Sequence, residues 1–423
     1  MRIEKRFYFV IFVFIAFFLT LAASADEILT WQGCLREAKQ NNPDLVSARE
    51  NLRYLQASRS IAASAALPHI STEINGASSK TAATSSKETY SYSLTGKQLL
   101  FDGSKTSFDI KAAEEEIRSA QFNYAAVSSE VRNRLRVAFV QLLKAQELLQ
   151  LTQEIFERRK QNFELVQLRY DAGREHKGSL LTAAADFAQA EFEVIQAKRN
   201  LSLAQRSLIK ELARTEFSPI SVEGSLDLTD TSREVPNFEA LAAETPFLKD
   251  LIAKREKAKF NLKSSKAEFF PKINFNASAG QTSSNWPPRD EYWSTGVTVS
   301  LPLFEGGSRL AEMKGAAALL RKADADAQSG RDSVVLALEQ DWTSWQDAVD
   351  EVLVKRKFLE AAQERSKIAE AQYSNGLLSF DNWTIIEDNL VNTKKTFLDA
   401  QEQAFIAEAN WVLTRGGALD EEE

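Results

Sequence analysis

Side chains that commonly carry chemistry are scarce in this sequence. It has two histidines, His69 and His176, and a single cysteine, Cys34. It contains no HExxH zinc motif, no G-x-S-x-G nucleophile elbow and no glycine-rich phosphate loop. Acidic residues are numerous but are spread along predicted helix faces, which is typical of a solvated surface. We therefore predict that the protein is not an enzyme and has no catalytic residues, no metal site and no cofactor.

Two of these residues allow two interpretations each. His176, in the charged segment "REHKGS", is either a metal or proton site or a solvated histidine, and a lone histidine favours the second. Cys34 is either a lipid attachment site or an ordinary helix cysteine. Trp31 and Gln32 stand where a lipidation motif has Leu and a small residue, which favours the helix cysteine.

The first 25 residues have the pattern of a secretory signal peptide. Three basic residues precede an apolar run from Phe7 to Leu21, and Ala-Ser-Ala follows, so we predict cleavage after Ala25. The alternative, an uncleaved anchor, is disfavoured because a spanning helix needs about 20 apolar residues. Removal of the signal peptide changes the net charge from −7 to −9. An exported, acidic chain with one cysteine has no internal disulfide, and we predict no nucleic-acid partner.

The phrase "LFDGS" at 100–104 is repeated as "LFEGG" at 303–307, an offset of 203 residues. The same offset relates further pairs: Pro43 and Pro246, Leu45 and Leu248, Pro68 and Pro271, Ile70 and Ile273, Tyr170 and Tyr373, Gly173 and Gly376. We infer an internally duplicated chain. The predicted parts are a signal peptide (1–25), repeat 1 (26–215), a linker (216–236), repeat 2 (237–415) and an acidic tail (416–423).

Each repeat is predicted to contain a β-hairpin between helices. Apolar and polar residues alternate with period two in the predicted strands, which lie near 68–79, 88–101, 271–282 and 291–304. Long helices are expected at 104–170 and 308–373, with return helices at 178–214 and 381–415. The first long helix lacks proline and glycine over 67 residues, or about 100 Å, and its apolar residues follow a coiled-coil spacing. Glycine is expected to end each long helix at "YDAG" and "YSNG".

The predicted hairpins have one apolar face and one face of small polar residues. Four strands cannot close a membrane barrel, and open sheet edges are not tolerated in hydrocarbon. Two arrangements remain from the strands alone. Either the hairpins pack on the protein's own helices, or several chains pool their strands around a water-filled lumen.

With these motifs, the sequence resembles the TolC-like outer-membrane efflux proteins over nearly the whole mature chain. The resemblance is carried by "NNPDL", "LPHI" and "FPKI", "LLFDGS" and "PLFEGG", and the tips "RYDAG" and "QYSNG". It implies a mainly α protein with membrane β structure, in which long coiled-coil helices and two β-hairpins form one protomer. Three protomers would form a 12-stranded β-barrel and an α-helical periplasmic tunnel.

The resemblance also implies partners and site residues. The chain would pair with two further copies of itself in a homotrimer. Its other partners would be a periplasmic adaptor, an inner-membrane pump and outer-membrane lipid. Adaptor docking and gating are expected at the helix tips, and strand-to-helix joints where the chain leaves the barrel. The tip residues are Tyr170, Asp171, Gly173, Tyr373, Asn375 and Gly376, and the joint residues are Phe101, Gly103, Phe304 and Gly306.

The tunnel entrance departs from the family pattern. Acidic residues often follow the second tip in the family, but the positions in register here are Asn382 and Ile385, and Asp381 is one residue early. Leu378 stands where a basic residue is expected. We assign the entrance region to Asp381 and Asn382 and leave open an acidic ring and an ionic latch.

The expected function is an outer-membrane exit duct. It would pass small molecules such as drugs and toxic compounds, or proteins, from a pump and adaptor to the outside. The alternative is a soluble periplasmic coiled-coil adaptor or scaffold, which would explain the signal peptide and helices but not the hairpins.

Overall fold

The chain is an internally duplicated assembly of long helices joined to one β-sheet. A computed structural model describes residues 27–81, 84–227 and 234–419; the predicted signal peptide, the middle of the linker and the last four residues of the tail lie outside these ranges. The helices there are α1 (Trp31–Asn41), α2 (Pro43–Ser64), α3 (Lys105–Asp171), α4 (Lys177–Glu211), α5 (Phe238–Glu244), α6 (Pro246–Ala267), α7 (Ser308–Ser374) and α8 (Phe380–Thr414). The strands are β1 (Glu27–Leu29), β2 (His69–Thr81), β3 (Thr84–Phe101), β4 (Ile220–Val222), β5 (Lys272–Ser283) and β6 (Asp290–Ser300).

The repeat offset is kept by the helices. The pairs α2 and α6, α3 and α7, and α4 and α8 have 22, 67 and 35 residues respectively. Equivalent starts also match: Asn42 and Thr245 cap α2 and α6, and a proline follows each at the first helical position. A proline there needs no backbone N–H partner, which favours helix initiation.

The helices form a wall that is four columns wide. Helices α2 and α4 pack along α3, and α6 and α8 pack along both α3 and α7. The order across the wall is therefore α2 with α4, then α3, then α6 with α8, then α7. Among the described residues, α3 is the main helical neighbour of α2 and α4, and the outer column α7 is also contacted by the short helix α5.

The four long strands form one antiparallel sheet in the order β2-β3-β5-β6. The register puts apolar side chains on one face: Val297 lies opposite Phe275, and Leu94 lies opposite both Thr72 and Ala279. Small polar side chains meet on the other face, where the Ser278 and Ser294 hydroxyls are 2.8 Å apart. Strands β2 and β6 are open edges in the single chain. No described helix is both long enough and apolar enough to cross a membrane.

A thin second layer covers the middle of the wall. Strands β1 and β4 pair in parallel, and the main core includes Cys34, Leu35, Leu135, Leu142 and Ile220. The N-terminal strand is fixed by the Arg214 guanidinium, which makes ion pairs of 2.6 Å with both Glu27 and Glu37. Hydrogen bonds from Arg214 lower the pKa of the Glu27 carboxyl.

Three details differ from the sequence prediction. The start of predicted repeat 1, for which no strand was predicted, forms strand β1, because this segment pairs with β4, which lies inside the predicted linker. The first hairpin extends beyond the predicted strands, to Thr81 and from Thr84. The last strand ends at Ser300, so Phe304 lies beyond the sheet and is 88% exposed. Pro302 explains this early end, because proline has no N–H to donate to the ladder.

Candidate functional site

The candidate site consists of two tips, where each long helix turns back. The first tip comprises residues 170–176 and the second comprises residues 373–379. In each, a glycine has a positive φ: +68° at Gly173 and +75° at Gly376. A Cβ added at either glycine would have no neighbour within 4 Å, so the requirement for glycine is conformational rather than steric.

The two turns use the same hydrogen bonds. The N–H of Gly173 donates to the Tyr170 carbonyl at 2.9 Å, and the N–H of Gly376 donates to the Tyr373 carbonyl at 2.9 Å. The next residue in each turn bonds back five positions, to Arg169 and Gln372 respectively, at 2.8 Å. These are the paired bonds of a Schellman motif, which satisfies the last helix carbonyls.

The tip tyrosines have different environments. Tyr170 is 37% exposed, whereas Tyr373 is 1% exposed. The Tyr373 ring stacks on Trp383 with centroids 4.2 Å apart, and the Arg169 guanidinium lies 4.6 Å from the ring centroid. Arg169 also donates to the Tyr373 carbonyl at 2.8 Å. Tyr373 therefore joins the two repeats inside the tip and offers no surface to a partner.

A short polar chain connects the two tips. The Tyr373 hydroxyl donates to Glu175 at 3.1 Å, and Ser179 donates to the same carboxylate at 3.0 Å. Burial and the neighbouring Glu175 charge raise the pKa of Tyr373 to about 12. Because burial favours the neutral phenol, Tyr373 acts as a hydrogen-bond donor here at neutral pH.

His176 is a helix cap in the structure. Its Nδ1 accepts a hydrogen bond from the Ser179 backbone N–H at 3.2 Å, at the start of α4. Ser379 has the equivalent place before α8. Among the described residues, no cluster of three His, Cys, Asp or Glu side chains suited to a metal ion is found.

Cys34 is buried inside α1. It is 0% exposed, and burial raises the pKa of its thiol to about 12. A neutral, enclosed thiol is a poor nucleophile, so this environment fits the ordinary helix cysteine of the two interpretations.

The remaining tip and entrance residues are at the surface. Asp171, Asn375, Asp381 and Asn382 are exposed, and the Asn375 amide donates to the Ala371 carbonyl at 2.9 Å within its own helix. Apolar side chains stand among them: Leu377 is 79% exposed and Ile385 is 64% exposed. The accessible surface of the tips is therefore a mixture of apolar, uncharged polar and charged groups, and the charged groups include Arg174 as well as Asp171.

A buried ion pair, absent from the sequence prediction, lies behind the tips. Glu387 of α8 is 2% exposed and receives two hydrogen bonds from Arg158 of α3, at 2.5 and 3.0 Å. Ser366 of α7 donates to the same carboxylate at 2.6 Å. Hydrogen bonding to Glu387 raises the pKa of Arg158. Sequence spacing could not reveal the pair, because its members are 229 residues apart.

The joints connect the helices to the sheet. Phe101 ends β3, and both Gly103 (φ +68°) and Gly306 (φ +62°) have positive φ. A Cβ at Gly103 would lie 2.6 Å from Cβ of Phe270, whereas at Gly306 it would meet no atom within 4 Å. The first joint is thus sterically enclosed and the second is open.

An antiparallel sheet is continued by two repeats of packed helices, and the longest helix of each repeat, with 67 residues, is about 100 Å long. Comparison with known proteins identifies the class of protein that has this architecture. The family model described as "Outer membrane efflux protein" matches residues 34–214 and 238–415, which is most of the chain. The chain belongs to this outer membrane efflux protein family, whose members are channels with a helical periplasmic part rather than enzymes.

Individual relatives are moderately similar in sequence. The outer membrane efflux protein BepC of Brucella suis is 27% identical over 359 residues, covering 82% of this chain and 75% of BepC. The alkaline protease secretion protein AprF of Pseudomonas aeruginosa is 25% identical over 251 residues, covering 56% of this chain and 51% of AprF. The crystal structure of CusC matches the fold with a TM-score of 0.85 at 17% identity, covering 94% of this chain and 96% of that chain. Family membership excludes the soluble adaptor or scaffold.

Proposed function

We propose that three copies of this chain form an exit duct through the outer membrane, with a 12-stranded barrel and a tunnel of helices. The observation that carries this proposal is the open sheet. Its edges, β2 and β6, expose unpaired backbone groups, and its apolar face carries exposed residues such as Ile70, Val297 and Val299. Hydrocarbon tolerates such a sheet only when its edges are closed, which further copies would provide.

The helix wall supports the same assembly. Large apolar side chains are exposed along the outer columns: Leu319, Leu336, Leu353, Val354, Phe358 and Ile368 on α7, and Tyr54, Ile61, Phe192, Ile195 and Leu203 on α2 and α4. On α3, which has the same length as α7, only Leu168 and Tyr170 near the tip are in this class. The apolar outer columns fit burial against neighbouring copies.

Partners follow from the family. We infer that the duct works with a periplasmic adaptor and an inner-membrane pump. The helix tips would dock the adaptor and gate the tunnel entrance. The tips lie a full helix length from the sheet, and they present exposed backbone turns with Leu377 and Tyr170 at the surface. The cargo is small molecules or proteins; AprF, one of the relatives, is a secretion protein for a protease.

The barrel is tested with two neighbouring arginine substitutions. Val297 is on the apolar face and 59% exposed, while Thr298 is on the polar face, where it accepts a hydrogen bond from Asn276 at 3.0 Å. Val297→Arg should reduce recovery of trimer from the outer membrane, because a lipid-facing Arg costs about 2–4 kcal/mol at the midplane. Thr298→Arg should be tolerated. Equal damage would show that the two faces are assigned wrongly, and a freely soluble monomer would reject the duct.

The tips are tested by proline substitution. Gly173→Pro and Gly376→Pro each remove a turn N–H donor and cannot adopt the positive φ. We expect normal trimer in the outer membrane with loss of export. Gly315→Ala is the control, since this glycine is inside α7 with free space for a Cβ. Full export by both proline variants would remove the tips from the mechanism, and loss of trimer would make the glycines structural.

A further inference from the structure

Two lysines and two phenylalanines form a cluster on the wall close to the sheet. Lys111 and Phe108 are on α3, and Lys263 and Phe260 are on α6. The Lys263 ammonium lies 5.2 Å from the Phe260 ring centroid and 5.9 Å from that of Phe108, and the Lys111 ammonium lies 5.8 Å from the Phe260 centroid. We call these four residues the Lys–Phe quartet. The rings hold both ammonium groups over one seam between two helices.

In the described part of the chain, the two lysines of the quartet lack the acidic partners that the basic residues around them have. Nearby, Lys105 pairs with Asp109 at 3.0 Å, and Arg59 pairs with Glu114 at 2.9 Å. Within the described ranges, neither Lys111 nor Lys263 has a carboxylate within 4 Å, and both side chains are exposed. The quartet is therefore a surface with two positive charges and room for an external anion.

The quartet lies on the outer side of the proposed duct. Residues seven apart share a face of a coiled-coil helix, and steps of seven from Lys111 lead to Arg132. Because the apolar stripe of α3 shifts by one residue at Leu135, this face continues at Arg136 and Leu143. The Arg136 guanidinium lies 4.9 Å from the Trp31 ring centroid, and Leu143 belongs to the core that contains Ile220 of β4. Three copies of that second layer would obstruct a lumen, so this face is external.

Its depth matches the lipid headgroups of the inner leaflet. Lys111 is six residues after the start of α3, or about 9 Å along the helix, and Lys263 is four residues, or about 6 Å, before the end of α6. Between the quartet and the sheet, Phe269 is 46% exposed and Phe270 is 56% exposed, and Leu100, near the end of β3, is 57% exposed. Apolar side chains toward the membrane and lysines just below it are the arrangement that anchors proteins at an interface.

We propose that the Lys–Phe quartet binds the phosphate of an anionic phospholipid in the inner leaflet of the outer membrane. The two ammonium groups contact the headgroup, and the acyl chains lie over Leu100, Phe269 and Phe270. The inference rests on the proposed duct in one respect, because the duct determines which side of the helix wall faces lipid.

The internal repeat supplies a matched control. At the same offset of 203 residues, the equivalents of Phe108, Lys111, Phe260 and Lys263 are Ala311, Lys314, Ala57 and Ser60. Lys314 therefore has the same depth and helix position as Lys111 but no aromatic partners. One specific site per subunit is expected, rather than a continuous basic belt.

The experiment measures lipid retention by the purified full-length protein. Trimers are reconstituted in nanodiscs of phosphatidylethanolamine with a minority of phosphatidylglycerol, and bound lipids are counted by native mass spectrometry after extraction. The wild-type protein should retain phosphatidylglycerol in preference to phosphatidylethanolamine, at one molecule per subunit. Each of Lys111→Gln and Lys263→Gln should lower this affinity about fivefold, the equivalent of about 1 kcal/mol per lysine at an anionic surface. Lys314→Gln should have no effect.

Two further variants separate the contribution of the lysine charge from that of the aromatic rings in the quartet. Lys111→Arg should keep the bound lipid, and Phe260→Leu should weaken it while the trimer stays intact. Equal retention of the two lipids by wild type would overturn the proposal, as would equal loss in Lys111→Gln and Lys314→Gln. A chain that forms no trimer in nanodiscs would instead reject the duct, so the two failures are distinguishable.

Discussion

The buried pair between Arg158 and Glu387 should determine how firmly the tips are held together. Arg158 belongs to the first repeat and Glu387 to the second, and the pair has two hydrogen bonds, at 2.5 and 3.0 Å. The Arg158→Met substitution keeps an unbranched side chain but leaves the Glu387 carboxylate buried with only the Ser366 hydroxyl as a partner.

The magnitude follows from burial. Removing one partner of a buried pair costs about 3–5 kcal/mol, because an uncompensated charge remains in the interior. The neighbouring Arg159 gives the comparison: its partners Asp388 and Asp186 have side chains that are 56% and 31% exposed. Arg159→Met should therefore cost about 1 kcal/mol or less, since water can solvate the remaining carboxylates.

A double substitution tests whether the lost charge balance is the cause. Arg158→Met combined with Glu387→Leu removes both charges, and replacing a buried pair by apolar groups is often neutral or stabilising. We expect the double variant to regain most of the stability lost in Arg158→Met. Such recovery would not occur if Arg158 acted only through its packing.

The assay is hydrogen exchange of the backbone amides in 163–171 and 380–388, measured on intact trimers. The tips are the helix ends farthest from the sheet and should open locally before the rest of the chain. A loss of 3 kcal/mol corresponds to about a 150-fold loss of protection in Arg158→Met. Equal protection in Arg158→Met and Arg159→Met, or no recovery in the double variant, would refute the reasoning.

Three further predictions concern the joint, the tip and the N-terminus. Gly103→Ala should destabilise the trimer by about 2–5 kcal/mol, because the added Cβ clashes with Phe270 and alanine must keep a positive φ. Gly306→Ala should cost about 1–2 kcal/mol through the positive φ alone. The temperature at which each trimer dissociates on gels measures the loss, and equal losses would contradict the steric difference between the two joints. Because its folded pKa of about 12 exceeds the ordinary value near 10, Tyr373 should contribute stability below pH 10 that is lost as pH rises to 12. Tyr373→Phe should flatten this loss in alkaline melting curves, and an unchanged curve would reject it. N-terminal sequencing should find Asp26, whereas an acylated Cys34 would make the protein a lipoprotein.

The repeat, the helices and the hairpins could be predicted because they depend on local patterns. The 203-residue offset, the alternation in the strands and the glycines at 173 and 376 are all visible within short stretches of sequence. These signals come from backbone conformation and from which face of an element is apolar, and both are encoded by neighbouring residues.

The second layer and the tip chemistry could not be predicted, because they depend on contacts between distant residues. Strand β4 has three residues inside a stretch that reads as linker, and only its pairing with β1 makes it a strand. The two tip tyrosines stand at equivalent positions in the sequence, yet one is exposed and the other is buried by Trp383 and Arg169. The identity of a residue does not reveal its exposure when the partner helix is 200 residues away.

The differences between the repeats have a consequence for symmetry. In the proposed trimer, six similar backbone units would form a ring of approximately sixfold symmetry, but their side chains would reduce the symmetry to threefold. Tyr170 is exposed where Tyr373 is buried, and the Lys–Phe quartet has no aromatic counterpart at Lys314. An adaptor that reads exposed side chains at the tips would therefore meet two alternating surfaces, three of each. Exchanging the tip sequences 170–176 and 373–379 should then preserve the turns, which share their hydrogen bonds, and should keep a tyrosine at 373. It would place leucine at position 175, so the Tyr373 hydroxyl would lose its acceptor, and it would interchange the exposed side chains of the two surfaces. We therefore expect export to be impaired while the trimer is kept.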